Sequence, residues 1–248
     1  MIVTNWTKTA LGAAVVCGLV GTGATAAMAA PVFSGNAVGS WGNLQGSLGS
    51  SGDVTNGDNG ATADLEWGNP VAGSTTNRWR FDGVGSDGGA GWSSAAGTPF
   101  KVGDFSYRNG AVSGHSFTGA DLFVDLNITS PDSITNTFTF GFDVTNTPNT
   151  TGDPVLDGDI VTINSAFSDV NFSYDGQIYT LALLGFSEDA GQTITTGFNS
   201  PENTDAAAGL YGSITAPPPV PLPAAAWFML TAIGGLFGSR WLKKGQSA

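Results

Sequence analysis

The sequence predicts an all-β protein: an antiparallel β-sandwich, jelly-roll-like, with an N-terminal signal peptide before it and a single transmembrane helix after it. Three observations predict this. Between residues 63 and 215 apolar residues alternate with polar ones at period two, not at the helical period of 3.6. The 37 glycines, with abundant Ser, Thr, Asn and Asp, separate those runs as turn formers do. Two apolar segments without acidic residues flank the region, one at each end of the chain.

The first segment is a targeting signal and is set aside from fold reasoning. One cation, Lys8, precedes an apolar run from Ala10 to Val20. Ala27-Met28-Ala29 then fits the small-x-small rule for signal peptidase, which places cleavage after Ala29. The only cysteine, Cys17, falls inside this peptide, so the mature chain has no disulfide and no thiol chemistry. Residues 30–215 form the extracytoplasmic domain, which is long enough for one real core.

The strands follow in order. The Gly-, Ser- and Asn-rich stretch 34–63 holds a leading strand or two with loose loops. "ADLEWGNP" (63–70) is a strand entering a turn at Pro70, and "NRWRFDG" (77–83) puts Trp79 and Phe81 on one face. Residues 83–97 are so rich in glycine that they read as a flexible loop. "PFKVGDFSYRNG" (99–110) is a strand with a turn. Leu122, Val124, Leu126 and Ile128 share one face of the next, with Asp125 and Asn127 opposite. Phe138, Phe140, Phe142 and Val144 alternate with Thr137, Thr139, Gly141 and Asp143, as a half-buried strand does. "DIVTI" (159–163) is another strand. In 169–186 Asp175-Gly176 supplies a two-residue hairpin turn, and the return strand, apolar on both faces, belongs inside a sheet. "GLYGSIT" (209–215) closes the domain.

The tail has three parts. "APPPVPLP" (216–223) carries five prolines in eight residues, a semi-rigid extended spacer. The uncharged residues that follow place a helix over 224–239, just long enough to cross a bilayer with help from snorkelling Arg240 and interfacial Trp227 and Trp241. Arg240, Lys243 and Lys244, within the tail 240–248, form the cytoplasmic stop. Proline motif, short span and basic end together resemble the PEP-CTERM class of bacterial sorting signals, in its VPLPA-CTERM variant, carried by Val220, Pro221, Leu222, Pro223 and Ala224. The resemblance implies an exosortase as partner, transient residence in the inner membrane, and delivery to the surface or extracellular matrix of a Gram-negative bacterium.

Between Ala30 and Pro219 lie all 20 acidic residues and four cations, Arg78, Arg80, Lys101 and Arg108, a net of −16. Such a surface repels phosphate backbones, which excludes nucleic acid as a partner and suits divalent cations.

The domain also resembles the choice-of-anchor K family, the THxN family of PEP-CTERM proteins, over roughly residues 64–215. "EWGNP" (66–70), "GTPFKVGDFSYRNG" (97–110), "NTPN" (146–149), "DIVTI" and "YTLALLGF" (179–186) carry the likeness. The family's Thr-His-x-Asn falls on Ser106, Tyr107, Arg108 and Asn109, so a tyrosine stands where the family has histidine. The family has no defined activity, and what it implies is placement outside the cell.

No residue pattern demands an enzyme. His115, the only histidine, lies in a turn-like stretch and reads as a surface residue. Asp64 and Glu66 share a strand face at a spacing that could serve glycan hydrolysis, yet exposed strand carboxylates are far commoner. Phosphate loops and dinucleotide fingerprints are absent from the sequence. No cofactor is expected beyond calcium, for which Asp153, Asp157 and Asp159 offer hard oxygens on one glycine-containing loop. Of the tryptophans in the first third, Trp92 is the candidate for stacking on a sugar, because its loop is otherwise small and polar. The expected function is therefore a sorted surface or matrix protein with a structural or interaction role. A lectin-like module for extracellular polysaccharide comes second and a glycan hydrolase third.

Overall fold

The computed structural model describes residues 30–56, 62–86, 88–164 and 169–216. The expected signal peptide, the sorting motif, the span 224–239 and the basic tail lie outside the described residues. Among the described residues no helix is long and apolar enough to cross a membrane.

All regular structure there is β. The strands are β1 (Val32–Gln45), β2 (Asp53–Asn56), β3 (Thr62–Trp67), β4 (Asn69–Pro70), β5 (Asn77–Gly83), β6 (Trp92–Ala95), β7 (Pro99–Asn109), β8 (Val112–Ser113), β9 (Gly119–Ser130), β10 (Ile134–Thr145), β11 (Asp159–Ile163), β12 (Val170–Tyr174), β13 (Gln177–Ser187), β14 (Gly197–Ser200) and β15 (Thr204–Thr215). A six-stranded sheet runs β14-β11-β10-β9-β1-β6, and a seven-stranded sheet runs β12-β13-β15-β7-β5-β3-β2. Every pairing in both is antiparallel. A two-residue β4–β8 ladder stands apart. The two large sheets close on one core, the architecture of a β-sandwich.

Alternation builds that core. Leu122, Val124, Leu126 and Ile128 of β9 and Phe138, Phe140, Phe142 and Val144 of β10 are all buried, while Asp125, Thr137 and Thr139 face solvent. The β12–β13 hairpin turns on Asp175 (φ 48°) and Gly176 (φ 70°), both left-handed as a type I′ turn requires. β13 lies between β12 and β15. Around Phe81 glycine makes room. A Cβ on Gly103 would lie 2.4 Å from the Phe81 ring, and one on Gly39, from the other sheet, 2.3 Å from the same ring. Phe81 is thus wedged between two bare backbones.

Two segments differ from the sequence reading. The glycine-rich stretch 83–97 contains strand β6, which pairs with β1 through Gly35↔Trp92 to Val32↔Ala95. "GLYGSIT" is only the second half of β15, which begins at Thr204.

The four cations of the domain all lie on β5 and β7, and all take acidic partners. Arg78 and Arg80 meet Asp64 at 3.6 and 3.8 Å, Arg80 meets Asp82 at 3.1 Å, Arg108 meets Glu66 at 3.1 Å, and Lys101 meets Asp104 at 2.6 Å. The outer face of the six-stranded sheet carries Asp121, Asp125 and Asp143 among hydroxyls and amides instead.

The chain enters and leaves the sandwich at one pole. The turn after β6 holds both ends: Ala96 N–H donates to Pro31 O at 3.0 Å, and Gly97 N–H donates to Ile214 O at 2.7 Å. At the other pole Thr204 pairs with Asn109. Twelve residues of β15 separate the poles, about 35 Å at roughly 3.3 Å per residue.

Candidate functional site

The far pole gathers polar side chains that a sandwich core ordinarily excludes. Strand alternation divides the Ser106-Tyr107-Arg108-Asn109 motif between two faces of β7. Ser106 and Arg108 point outward, where the Arg108 guanidinium also donates to Thr76 O at 3.0 Å. Tyr107 and Asn109 point inward and are buried. Tyr107 stacks on Trp67 with ring centres 5.4 Å apart, and its hydroxyl donates to Asp159 Oδ2 at 2.6 Å. Asn109 Nδ2 donates to Ser200 O at 3.0 Å. Asp159 opens β11, and its Oδ1 accepts the Thr147 amide at 2.9 Å.

Asn109, Thr147 and Asp159 border a cavity of about 120 Å³, whose walls also include Asn77, His115, Asn146, Asn149 and Glu202. Burial raises the Asp159 carboxyl above the ordinary range, against the lowering pull of its Tyr107 and Thr147 hydrogen bonds. Burial also raises Glu202, with Asp159 repelling it and a hydrogen bond from Asn149 acting the other way. The Tyr107 hydroxyl is raised well above its usual value by burial first and by Asp159 second. Burial lowers His115, opposed by Asp159. Two acceptor atoms in the walls, Glu202 Oε1 and His115 Nδ1, have no hydrogen-bond partner.

Sequence reasoning found Tyr107, Asn109 and Asp159 and missed Glu202. It read His115 as a surface residue, whereas the side chain is half-buried and lines the cavity. Neither Glu202 nor His115 sits in an alternating run: Glu202 lies between β14 and β15, and the pairing of β11 with β14 and of β7 with β15 brings it to Asp159, while His115 lies in the connection between β8 and β9.

The aspartates expected to share calcium separate. Asp157 accepts the backbone amides of Thr151 (3.0 Å), Gly152 (2.8 Å) and Thr150 (3.3 Å), which hold it below the usual carboxylate range. Asp153 Oδ1 accepts the amide of Val155 at 2.9 Å. These two cap their own loop, as Asx turns do, while Asp159 turns to Tyr107. Among the described residues no three His, Cys, Asp or Glu side chains are placed to hold a metal ion.

Trp92 also differs from its expected exposure. It is 4% exposed, with its ring stacked on Phe100 at 4.2 Å. The small polar neighbours on which the expectation rested form a strand that folds the ring inward. Asp64 and Glu66 do share the outer face of β3, but as ion-pair partners of Arg78, Arg80 and Arg108.

No family model matches this chain, and no curated protein matches it at a significant level.

Proposed function

We propose that this chain is an exported protein, held in the inner membrane by its C-terminal segment until an exosortase cuts near Val220–Ala224, then displayed at the cell surface or in the extracellular matrix. There its sandwich, which we read as jelly-roll-like, has a structural or interaction role. The observation that carries the reading is the order of the tail: a proline collar, a run without charge just long enough for one crossing, and Arg240, Lys243 and Lys244 beyond it. Proline lacks the donor that helix continuation needs, so the collar stays extended and accessible to a protease. The domain itself supports a structural role. Trp41, Trp67, Trp79 and Trp92 are all in the core, and no aromatic ring among the described residues is exposed.

Cell fractionation with intact-mass measurement tests this, in cells with and without the sorting enzyme. The expected result is a mature protein that starts at Ala30 and ends near the proline collar, with the tail retained only where the enzyme is missing. A hydrophobic tail kept in both strains contradicts the sorting step.

A second reading, a polysaccharide-binding module, is favoured by one groove. Ser34, Asn36, Ser93 and Thr129 line a depression of about 480 Å³ together with Trp92, whose indole N–H has no partner. In this reading the polar rim of Ser34, Asn36, Ser93 and Thr129 holds the sugar, because the Trp92 indole N–H is itself buried. On a glycan array the native chain binds a neutral polysaccharide and Asn36→Ala loses that binding. Equal signals from both proteins would remove the groove from consideration.

A further inference from the structure

We propose that the cavity at the far pole binds one calcium ion, held by the carboxylates of Asp159 and Glu202, by oxygens of the 146–149 segment, and by water. This goes beyond surface display and does not depend on it.

Glu202 carries the argument. It is only 9% exposed, it lines the cavity, and its Oε1 has no hydrogen-bond partner. Asn149 hydrogen-bonds to this carboxylate, but a carboxylate oxygen out of water and left without a partner is still costly, and proteins keep such groups where a cation or a donor completes them. No lysine or arginine borders the cavity. The nearest arginine in sequence, Arg108, is turned to the outer face by strand alternation and engaged with Glu66. Asp159 adds a second carboxylate, whose oxygens each accept one hydrogen bond and so retain a free lone pair. His115 does not supply the missing charge, because burial favours its neutral form.

The cavity's size and chemistry narrow the ligand. About 120 Å³ leaves space for an ion with a few waters. The available donors are hard oxygens: two carboxylates, the amide oxygens of Asn146 and Asn149, and the Thr147 hydroxyl. They come from loops with no common geometry, which calcium tolerates with its six to eight ligands and magnesium does not. Zinc lacks a ligand set here. Because Asp159 follows the loop after β10 while Glu202 lies between β14 and β15, the ion ties together segments far apart in the chain.

The test uses the full-length chain, purified in detergent, stripped with EGTA and titrated with calcium chloride in a calorimeter. A parallel titration with terbium chloride reads luminescence excited through Tyr107 and Trp67. The expected results are one equivalent bound and a thermal midpoint higher in calcium than in EGTA. Glu202→Gln should weaken binding at least tenfold, whereas Asp153→Asn should leave it unchanged. Asn149→Ala, an exposed substitution that cannot disturb the core, should weaken binding several-fold and covers the case in which Glu202→Gln does not fold. Absence of both heat and terbium emission from the native chain overturns the proposal. So does native-like affinity in Glu202→Gln, or loss of binding in Asp153→Asn.

Discussion

Replacing Trp79 with alanine is expected to remove about 3–5 kcal/mol of folding stability, measured as a shift in the urea midpoint at unchanged slope. Trp79 is fully buried. Its ring lies 5.3 Å from Trp67, 5.2 Å from Phe117, 5.6 Å from Trp41, 5.9 Å from Phe105 and 6.1 Å from Phe142. Those neighbours come from both sheets, so the cavity left by alanine cannot close by moving a single strand. The loss is a large share of the roughly 5–15 kcal/mol that holds an ordinary domain together. Its nature is purely apolar: the Trp79 indole N–H has no hydrogen bond, unlike Trp41, whose Nε1 donates to Ala63 O at 3.0 Å. Trp79→Phe is therefore expected to cost clearly less than Trp79→Ala. Equal costs for the two would mean that something other than packing holds this residue.

Tyr107→Phe is expected to destabilise the fold by about 1–3 kcal/mol although it keeps the ring on Trp67. The penalty comes from Asp159, which loses its 2.6 Å donor while remaining buried. A buried carboxylate stripped of a hydrogen bond costs more than the bond itself contributed. Adding Asp159→Asn removes the charge, so the double variant should cost less than the sum of the single changes. Strict additivity would show that the two groups are not coupled. The phenol donates to the carboxylate without adding a positive charge, and the anionic character of the cavity is preserved.

Much of the fold was legible because it depends on local alternation. In β10 the phenylalanines and threonines take opposite sides over so many residues that no other secondary structure could bury one set and expose the other. Asp175-Gly176 announced its hairpin through the left-handed backbone that such a turn needs. β6 was not legible. Four residues next to glycine carry no measurable period, and Trp92 is buried by Phe100 on the facing sheet and packed beside Gly35 on β1, contacts that no local pattern announces. The site was half legible for the same reason. Tyr107 and Asn109 could be read from one strand, whereas Glu202 acquires its place only once β14 and β15 have been laid beside β11 and β7, and His115 lies in a connection without a period of its own. Asp153 and Asp157 were ambiguous in sequence because a carboxylate in a glycine-containing turn satisfies its own backbone as readily as it holds an ion.

Entry and exit of the chain at a single pole decide how the molecule is oriented when it is gripped from behind. Any leash continuing past Thr215 pulls on the end that carries Pro31 and Ile214, so the acidic mouth beside Asn109 becomes the outermost tip. A diffusing solute reaches it without threading past the leash. If the chain beyond Thr215 is the proposed tether, cutting it would release the body and leave that tip untouched, so the same opening would serve a captive molecule and a liberated one.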